Sequence, residues 1–429
     1  MGTSVLSEGR VIDLFEYRDG LLHCEGVSAE RLVAEYGTPL YVYSENAILE
    51  RYRSFTEAFA AVQPLIAYSV KANGNLAVLR LLAQAGAGAD IVSGGELYRA
   101  RLAGIATERI VFSGVGKTIT ELAAALDAKI YAFNVESEGE LRMLSGLAVT
   151  MNTRAPIALR VNPDVETATP HHYTATGHRQ TKFGIPYAEA EHLYREAAKL
   201  PGILVRGVDV HIGSQILDVA PYRLAITRVL ELVDRLRARG IVLEFIDVGG
   251  GFGVSYDGES GPAPADFATG LVPLLQQSGL RTVFEPGRYI VGPAGILLTR
   301  VLFMKQMGGK TFVITDAGMN DLLRPSHYAS YHRIEPAERI AGRETMPVDV
   351  VGPICESGDF LALDRPLRRV EPGELLAIGT AGAYGFSMSS TYNARPRPAE
   401  VMVAGSAHRL IRRRETYDDL VQGEVELME

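Results

Sequence analysis

The run Ala67-Tyr68-Ser69-Val70-Lys71-Ala72-Asn73-Gly74-Asn75 ends an apolar stretch on a lysine. Desolvating an ammonium there is costly. An amine perturbed in this way condenses with carbonyl compounds to form a Schiff base. Further along stand Glu285-Pro286-Gly287-Arg288 and, before them, Gly249-Gly250-Gly251-Phe252-Gly253. A glycine run lets backbone N–H groups approach an anion closely, and an arginine at the next strand end favours phosphate. A carboxylate such as Glu285 can keep a pyridine nitrogen protonated. His211, in His211-Ile212-Gly213-Ser214-Gln215, could cover a planar ring while Ser214 reaches a phosphate. Cys355-Glu356-Ser357-Gly358-Asp359 joins a thiol to carboxylates that favour its protonated form, which suits a proton donor. Together these are the parts that a pyridoxal phosphate (PLP) site requires.

The chain has 429 residues, enough for a large barrel and a smaller domain. Its composition, 47% hydrophobic and 22% charged, is that of a globular protein. A net charge of −8 argues against a nucleic-acid partner. Cys24 and Cys355 form no disulfide framework and no CxxC metal motif, which fits a reducing cytoplasm. No signal peptide, myristoylation motif or membrane-length apolar run is expected.

These residues need strands to hold them. Eight short apolar runs, each closed by a polar or glycine-rich tip, begin at Leu65, Ala89, Ile110, Ile130, Ile157, Val205, Leu243 and Thr282. Most of the stretches between them have helical periodicity. The alternation predicts an α/β fold: a (β/α)8 barrel of the TIM type over residues 37–288, with its chemistry at the C-terminal strand ends. Beyond it, short β-rich segments at Thr311–Thr315, Pro347–Val351, Leu375–Ile378 and Val401–Val403 predict an all-β domain. Residues 1–36 are assigned to it together with 289–429. The connection after Asn162 carries His171, His172 and His178, whose spacing fits no zinc pattern, and no metal is expected.

The motifs resemble, in order and spacing, the alanine-racemase-like class of PLP enzymes and, within it, the diaminopimelate decarboxylases. The resemblance runs from about residue 30 to 405. It also takes in Gly88–Glu96, Lys182-Phe183-Gly184-Ile185, Asn320-Asp321-Leu322-Leu323-Arg324-Pro325 and Gly382–Met388. It implies that Lys71 carries PLP, with Asp90 nearby, His211 on the ring and Glu285 at its nitrogen. It implies a phosphate site from Ser214, Gly249, Gly250, Gly251, Pro286, Gly287, Arg288 and Tyr384. It implies that Arg288, Arg324, Tyr328, Glu356 and Tyr384 contact substrate. Cys355 and Glu356 would come from the second subunit of a homodimer. The implied reaction is decarboxylation of meso-2,6-diaminopimelate at its D-centre to L-lysine, the last step of lysine biosynthesis. Arg324 and Glu356 offer a cation and an anion for the unreacted amino-acid end.

Other substrates of related decarboxylases remain open: ornithine, carboxynorspermidine or a carrier-bound glutamyl group. So does a non-catalytic PLP-binding homologue. A racemase is not expected, because racemases of this fold place an arginine where Glu285 stands. The chain also departs from the family's usual Arg-Pro-Ala-Leu-Tyr-Gly with Arg324-Pro325-Ser326-His327-Tyr328-Ala329. His327 could touch substrate or only solvent.

Overall fold

The structure is a computed structural model and describes residues 15–165, 181–257, 261–425 and 427. His171, His172 and His178 lie outside the described residues. The chain opens with a small antiparallel sheet of β1 (Phe15–Arg18), β2 (Leu21–Cys24) and β3 (Val27–Ser28), then α1 (Ala29–Tyr36), β4 (Leu40–Ser44) and α2 (Glu45–Ala58). Eight strand–helix units follow. Their strands are β5 (Leu65–Ser69), β6 (Gly88–Ile91), β7 (Ile110–Phe112), β8 (Ala132–Val135), β9 (Ala155–Asn162), β11 (Ile203–Asp209), β12 (Phe245–Asp247) and β13 (Arg281–Phe284). The two-residue β10 (Ile185–Pro186) pairs with β9. All neighbours in the ring are parallel, and β13 pairs back onto β5, which closes the barrel.

Local sequence explains the alternation. Ser44, Ser93 and Ser137 each accept a backbone N–H of a helical first turn, and Thr118 forms a capping box with Glu121. Caps at strand-to-helix turns set where each strand stops, and so fix which side chains stand at the barrel mouth. At the other end the interior is closed by Ala67, Val111, Ala132, Ala158, Phe245 and Val283. Phe245 fills this space only because residue 207 is glycine: a Cβ there would lie 2.4 Å from its ring.

The second domain is built on a sheet of order β18-β17-β15-β14-β4-β20-β21. Its members are β14 (Gly295–Met307), β15 (Lys310–Thr315), β17 (Thr345–Val351), β18 (Phe360–Arg368), β20 (Ala399–Ala404) and β21 (Ala407–Arg412), and β19 (Leu375–Ile378) joins β14 to β16 (Ile334–Pro336). The expected boundary at residue 37 differs from this pairing. β4 is antiparallel to β14 and parallel to β20, so residues 40–44 lie inside the second sheet. Its run Leu-Tyr-Val-Tyr-Ser is buried at every position, as a central strand covered on both faces must be. Among the described residues, no helix is long and apolar enough to cross a membrane.

Candidate functional site

Lys71 lies in the 3-10 turn that ends β5, and its Nζ donates to Asp90 Oδ2 at 2.7 Å. Asp90 is fully buried on β6, and the Ser69 hydroxyl lies between its Oδ2 (2.8 Å) and the Glu285 carbonyl oxygen (2.9 Å). Burial opposes the Lys71 charge, but Asp90 and then Glu285 outweigh it and hold the amine above the usual lysine range.

Glu285 stands just past the end of β13, wholly inside the protein. Its Oε1 accepts from the Ser113 hydroxyl at 3.1 Å and from Asn134 Nδ2 at 3.4 Å. Asn134 is tied to Ser113 (3.1 Å) and Asp247 (3.2 Å). Oxygens of Asp209, Asp247 and Glu285 lie within 4.8 Å of one another. Burial and mutual repulsion raise all three: Asp247 reaches about 8, and Asp209 and Glu285 rise well above the carboxylate range. Arg160 tempers this at 3.9 Å from Asp209, while Glu136 holds Arg160 at 3.0 Å. His211 is pushed well below the usual imidazole value by burial, then by Arg160 and Lys71, so its ring is neutral.

The glycine run wraps this cluster. Gly249 (φ +73°) and Gly251 (φ +94°) adopt conformations that favour glycine. A Cβ on Gly250 would stand 2.3 Å from the Glu285 carbonyl oxygen, and one on Gly287 would stand 2.9 Å from the Ser69 and Ala72 Cβ atoms. Arg288 donates to the Ser214 hydroxyl at 3.0 Å and to Tyr256, and its guanidinium lies 5.0 Å from the Tyr384 ring. Tyr384 N–H donates to the Ala72 carbonyl at 2.8 Å, which links the second domain to the residue after Lys71. Arg324 packs over Tyr256 at 5.0 Å and Tyr328 at 6.0 Å.

Lys71, Asp90, His211, Ser214, Gly249, Gly250, Gly251, Glu285, Pro286, Gly287, Arg288, Tyr384, Arg324 and Tyr328 thus occupy one connected region of the chain. Cys355 and Glu356 do not join it. They are exposed on the loop after β17, where Asp359 accepts from the N–H groups of Met319 and Ile354, both at 2.6 Å. His327 is exposed, its ring edge-on to Tyr328. Ala329 sits at φ +49°, a left-handed position where the family's glycine would be unstrained. Ser113, Asn134, Asp209, Asp247, Arg160 and Tyr256 were not singled out as site residues from the sequence. The first two lie at the tips or ends of recognised strands, but only barrel closure shows that they converge on Glu285.

The residues present fit PLP: a lysine amine, an enclosed carboxyl for the ring nitrogen, a neutral imidazole, and a glycine-lined cradle. Arg288 Nε is buried without a hydrogen-bond partner among the described residues. Residues 45–292 match the model of the pyridoxal-dependent decarboxylase, pyridoxal binding domain. The diaminopimelate decarboxylase of Aquifex aeolicus is 51% identical over 413 residues, covering 96% of this chain and 97% of that protein. That of Pseudomonas aeruginosa is 48% identical over 415 residues, covering 96% and 99%. The crystal structure of diaminopimelate decarboxylase from M. jannaschii in co-complex with L-lysine superposes with a TM-score of 0.91 at 38% identity, covering 96% of this chain and 98% of that one. The likeness therefore takes in the barrel and the second domain together, along nearly the whole length of these relatives. The chain belongs to the PLP-dependent decarboxylases, in the diaminopimelate decarboxylase family.

Proposed function

We propose that the chain converts meso-2,6-diaminopimelate to L-lysine and CO2. One observation carries this reading. Arg288 and Arg324 are both buried, and among the described residues they donate only to hydroxyls and an imidazole, with no carboxylate partner. A buried unpaired cation is costly. A substrate with a second carboxylate, beyond the one lost as CO2, supplies the missing anion. Arg324 is the one of the two not tied to Ser214, and it would take that distal carboxylate.

Lys71 would hold PLP through its amine, His211 would cover the ring, and Glu285 would face the ring nitrogen. Ser214, the 249–251 glycines, Pro286, Gly287, Arg288 and Tyr384 would surround the phosphate. When bound, PLP accepts the electron pair left on the substrate carbon as CO2 departs. Ser113 and Asn134 hold Glu285 Oε1, so the carboxyl cannot rotate away. Asp90 keeps the Lys71 amine charged until substrate or cofactor displaces that contact. The carbon that loses CO2 must regain a proton, and we assign its delivery to the Cys355 thiol.

Cys355 and Glu356 are exposed and apart from Lys71 in their own chain, which supports a homodimer in which each subunit completes its neighbour's site. A cytoplasmic place in lysine biosynthesis accompanies this reading, and the two unpaired cysteines suit a reducing compartment.

The test is CO2 release by the PLP-loaded enzyme from meso-diaminopimelate, lysine, ornithine, carboxynorspermidine and glutamyl derivatives. Meso-diaminopimelate should lead by orders of magnitude, because a site built for a polar group rejects analogues that lack it by about 10^4. Equal or faster turnover of a rival overturns the assignment.

A further inference from the structure

Arg324 is buried among aromatic rings, so something must fix which way its guanidinium faces. The structure assigns this task to His332, a positioning residue that sets the specificity of the site by aiming Arg324 at the distal carboxylate. The inference rests on the proposed grip of Arg324 on that group.

His332 is fully buried just before β16. Its Nδ1–H donates to the Gly379 carbonyl at 2.9 Å. A carbonyl can only accept, so the proton sits on Nδ1 and the lone pair on Nε2. Arg324 Nε–H, which can only donate, points at that Nε2 at 3.3 Å. Arg324 Nη2 donates to the Ser330 hydroxyl, also at 3.3 Å. Nη1 has no hydrogen-bond partner among the described residues, so it is the nitrogen left for a ligand oxygen.

The histidine is itself held from three strands. Ile334 of β16 pairs with Ile378 of β19, which places His332 beside Gly379. Arg365 of β18 donates to the His332 carbonyl at 2.6 Å. The ring also meets Tyr256 edge-on at 5.0 Å, and Tyr256 is the tyrosine that accepts from Arg288. Burial and the neighbouring Arg324 push His332 down to about 3, so Nε2 remains an acceptor at every working pH. A lysine or a protonated histidine there would add a donor and a charge. The neutral ring adds neither, and Arg324 keeps its full charge for the substrate.

Two variants separate the ring's two nitrogens. His332→Asn keeps a donor near the Nδ1 position and loses the acceptor. His332→Gln keeps an acceptor near the Nε2 position. Each is compared with wild type as PLP-loaded enzyme, by decarboxylation kinetics and by calorimetric binding of L-lysine and 1,5-diaminopentane. L-Lysine, seated as product, presents its carboxylate to Arg324, and diaminopentane has none. For His332→Asn, KM and the L-lysine Kd should rise about 10- to 30-fold, the scale of one hydrogen bond to a charged group. Its kcat should stay within about threefold, its diaminopentane Kd should not change, and His332→Gln should recover most of the loss. A wild-type L-lysine Kd in His332→Asn overturns the inference, as does equal weakening of both ligands. Arg324→Gln separates the two levels. If it leaves KM and the L-lysine Kd unchanged, the distal-carboxylate reading falls. If it raises them while His332→Asn does not, only the role of His332 falls.

Discussion

Replacing Asp90 by asparagine tests the ionisation of Lys71 directly. The two groups meet at 2.7 Å, with Asp90 fully buried and the lysine side chain 30% exposed. At an effective dielectric constant of about 20, unit charges at that distance attract by ~6 kcal/mol. Solvent reaches the lysine, and asparagine still accepts a hydrogen bond, so about a third of this, ~2 kcal/mol, is the realistic loss. That equals about 1.5 pKa units, or ~30-fold more neutral amine at any pH well below the lysine value. The sign for stability is opposite. The folded-state value of Lys71 is raised, so its pairing stabilises the fold below the ordinary lysine value of about 10.4 and is lost as pH climbs through the raised one. Asp90→Asn should therefore be about 2 kcal/mol less stable at pH 7 in denaturant titration. The unloaded variant should also capture pyridoxal phosphate about 30-fold faster at Lys71, read by borohydride trapping and peptide mapping across pH. Loss of stability with an unshifted pH profile of capture would refute the electrostatic account of Lys71.

Cys355→Ala should melt like wild type, since the side chain is exposed. Its kcat should fall about 10^2-fold or more if the thiol delivers the proton, and wild-type turnover with unchanged product would reject that role. Mixing Cys355→Ala with Lys71→Ala chains should restore part of the lost activity, because some mixed dimers then hold one intact site; no recovery would count against the shared-site homodimer. Gly250→Ala places a methyl 2.3 Å from the Glu285 carbonyl oxygen and should cost about 1–3 kcal/mol of stability. It should also weaken cofactor retention on dialysis, and an unchanged melt and retention would show that the cradle has slack.

The barrel was legible because each strand is a short apolar run ended by a helix cap or a glycine turn, and that grammar is local. Lys71, His211, Glu285 and Arg288 stand out in the sequence for the same reason: each lies within four residues of the end of its run. The surroundings of Glu285 were not. Asn134 reads as the residue after a strand ending at Phe133, whereas β8 runs from Ala132 to Val135 and carries it inside the barrel. A shift of two residues keeps the inward face and moves the strand end past the polar residue. Ser113, Asp209 and Asp247 are single polar residues at or near strand ends, and their meeting depends on closure between strands far apart in sequence. His332 is masked in the same way: a histidine in a loop announces nothing until Arg324 and Gly379 stand on its two sides. β4 resembles any other buried strand, and only its partners show which sheet it joins.

Those partners bear on how the protein is made. β4 is complete at residue 44, yet its neighbours are residues 295–298 on one edge and 399–403 on the other. At about 5–20 residues per second, a ribosome needs roughly 20–70 s to reach the second of them. Through that interval the barrel can assemble from parallel neighbours already synthesised, while a five-residue apolar ribbon waits with both edges open until 295–298 is made and with one edge open after that. The nascent chain thus passes through a stage with a finished barrel and an orphaned strand, when a chaperone or an unwanted β-partner has its opportunity. A chain terminated just before residue 399 would keep the second edge open for good.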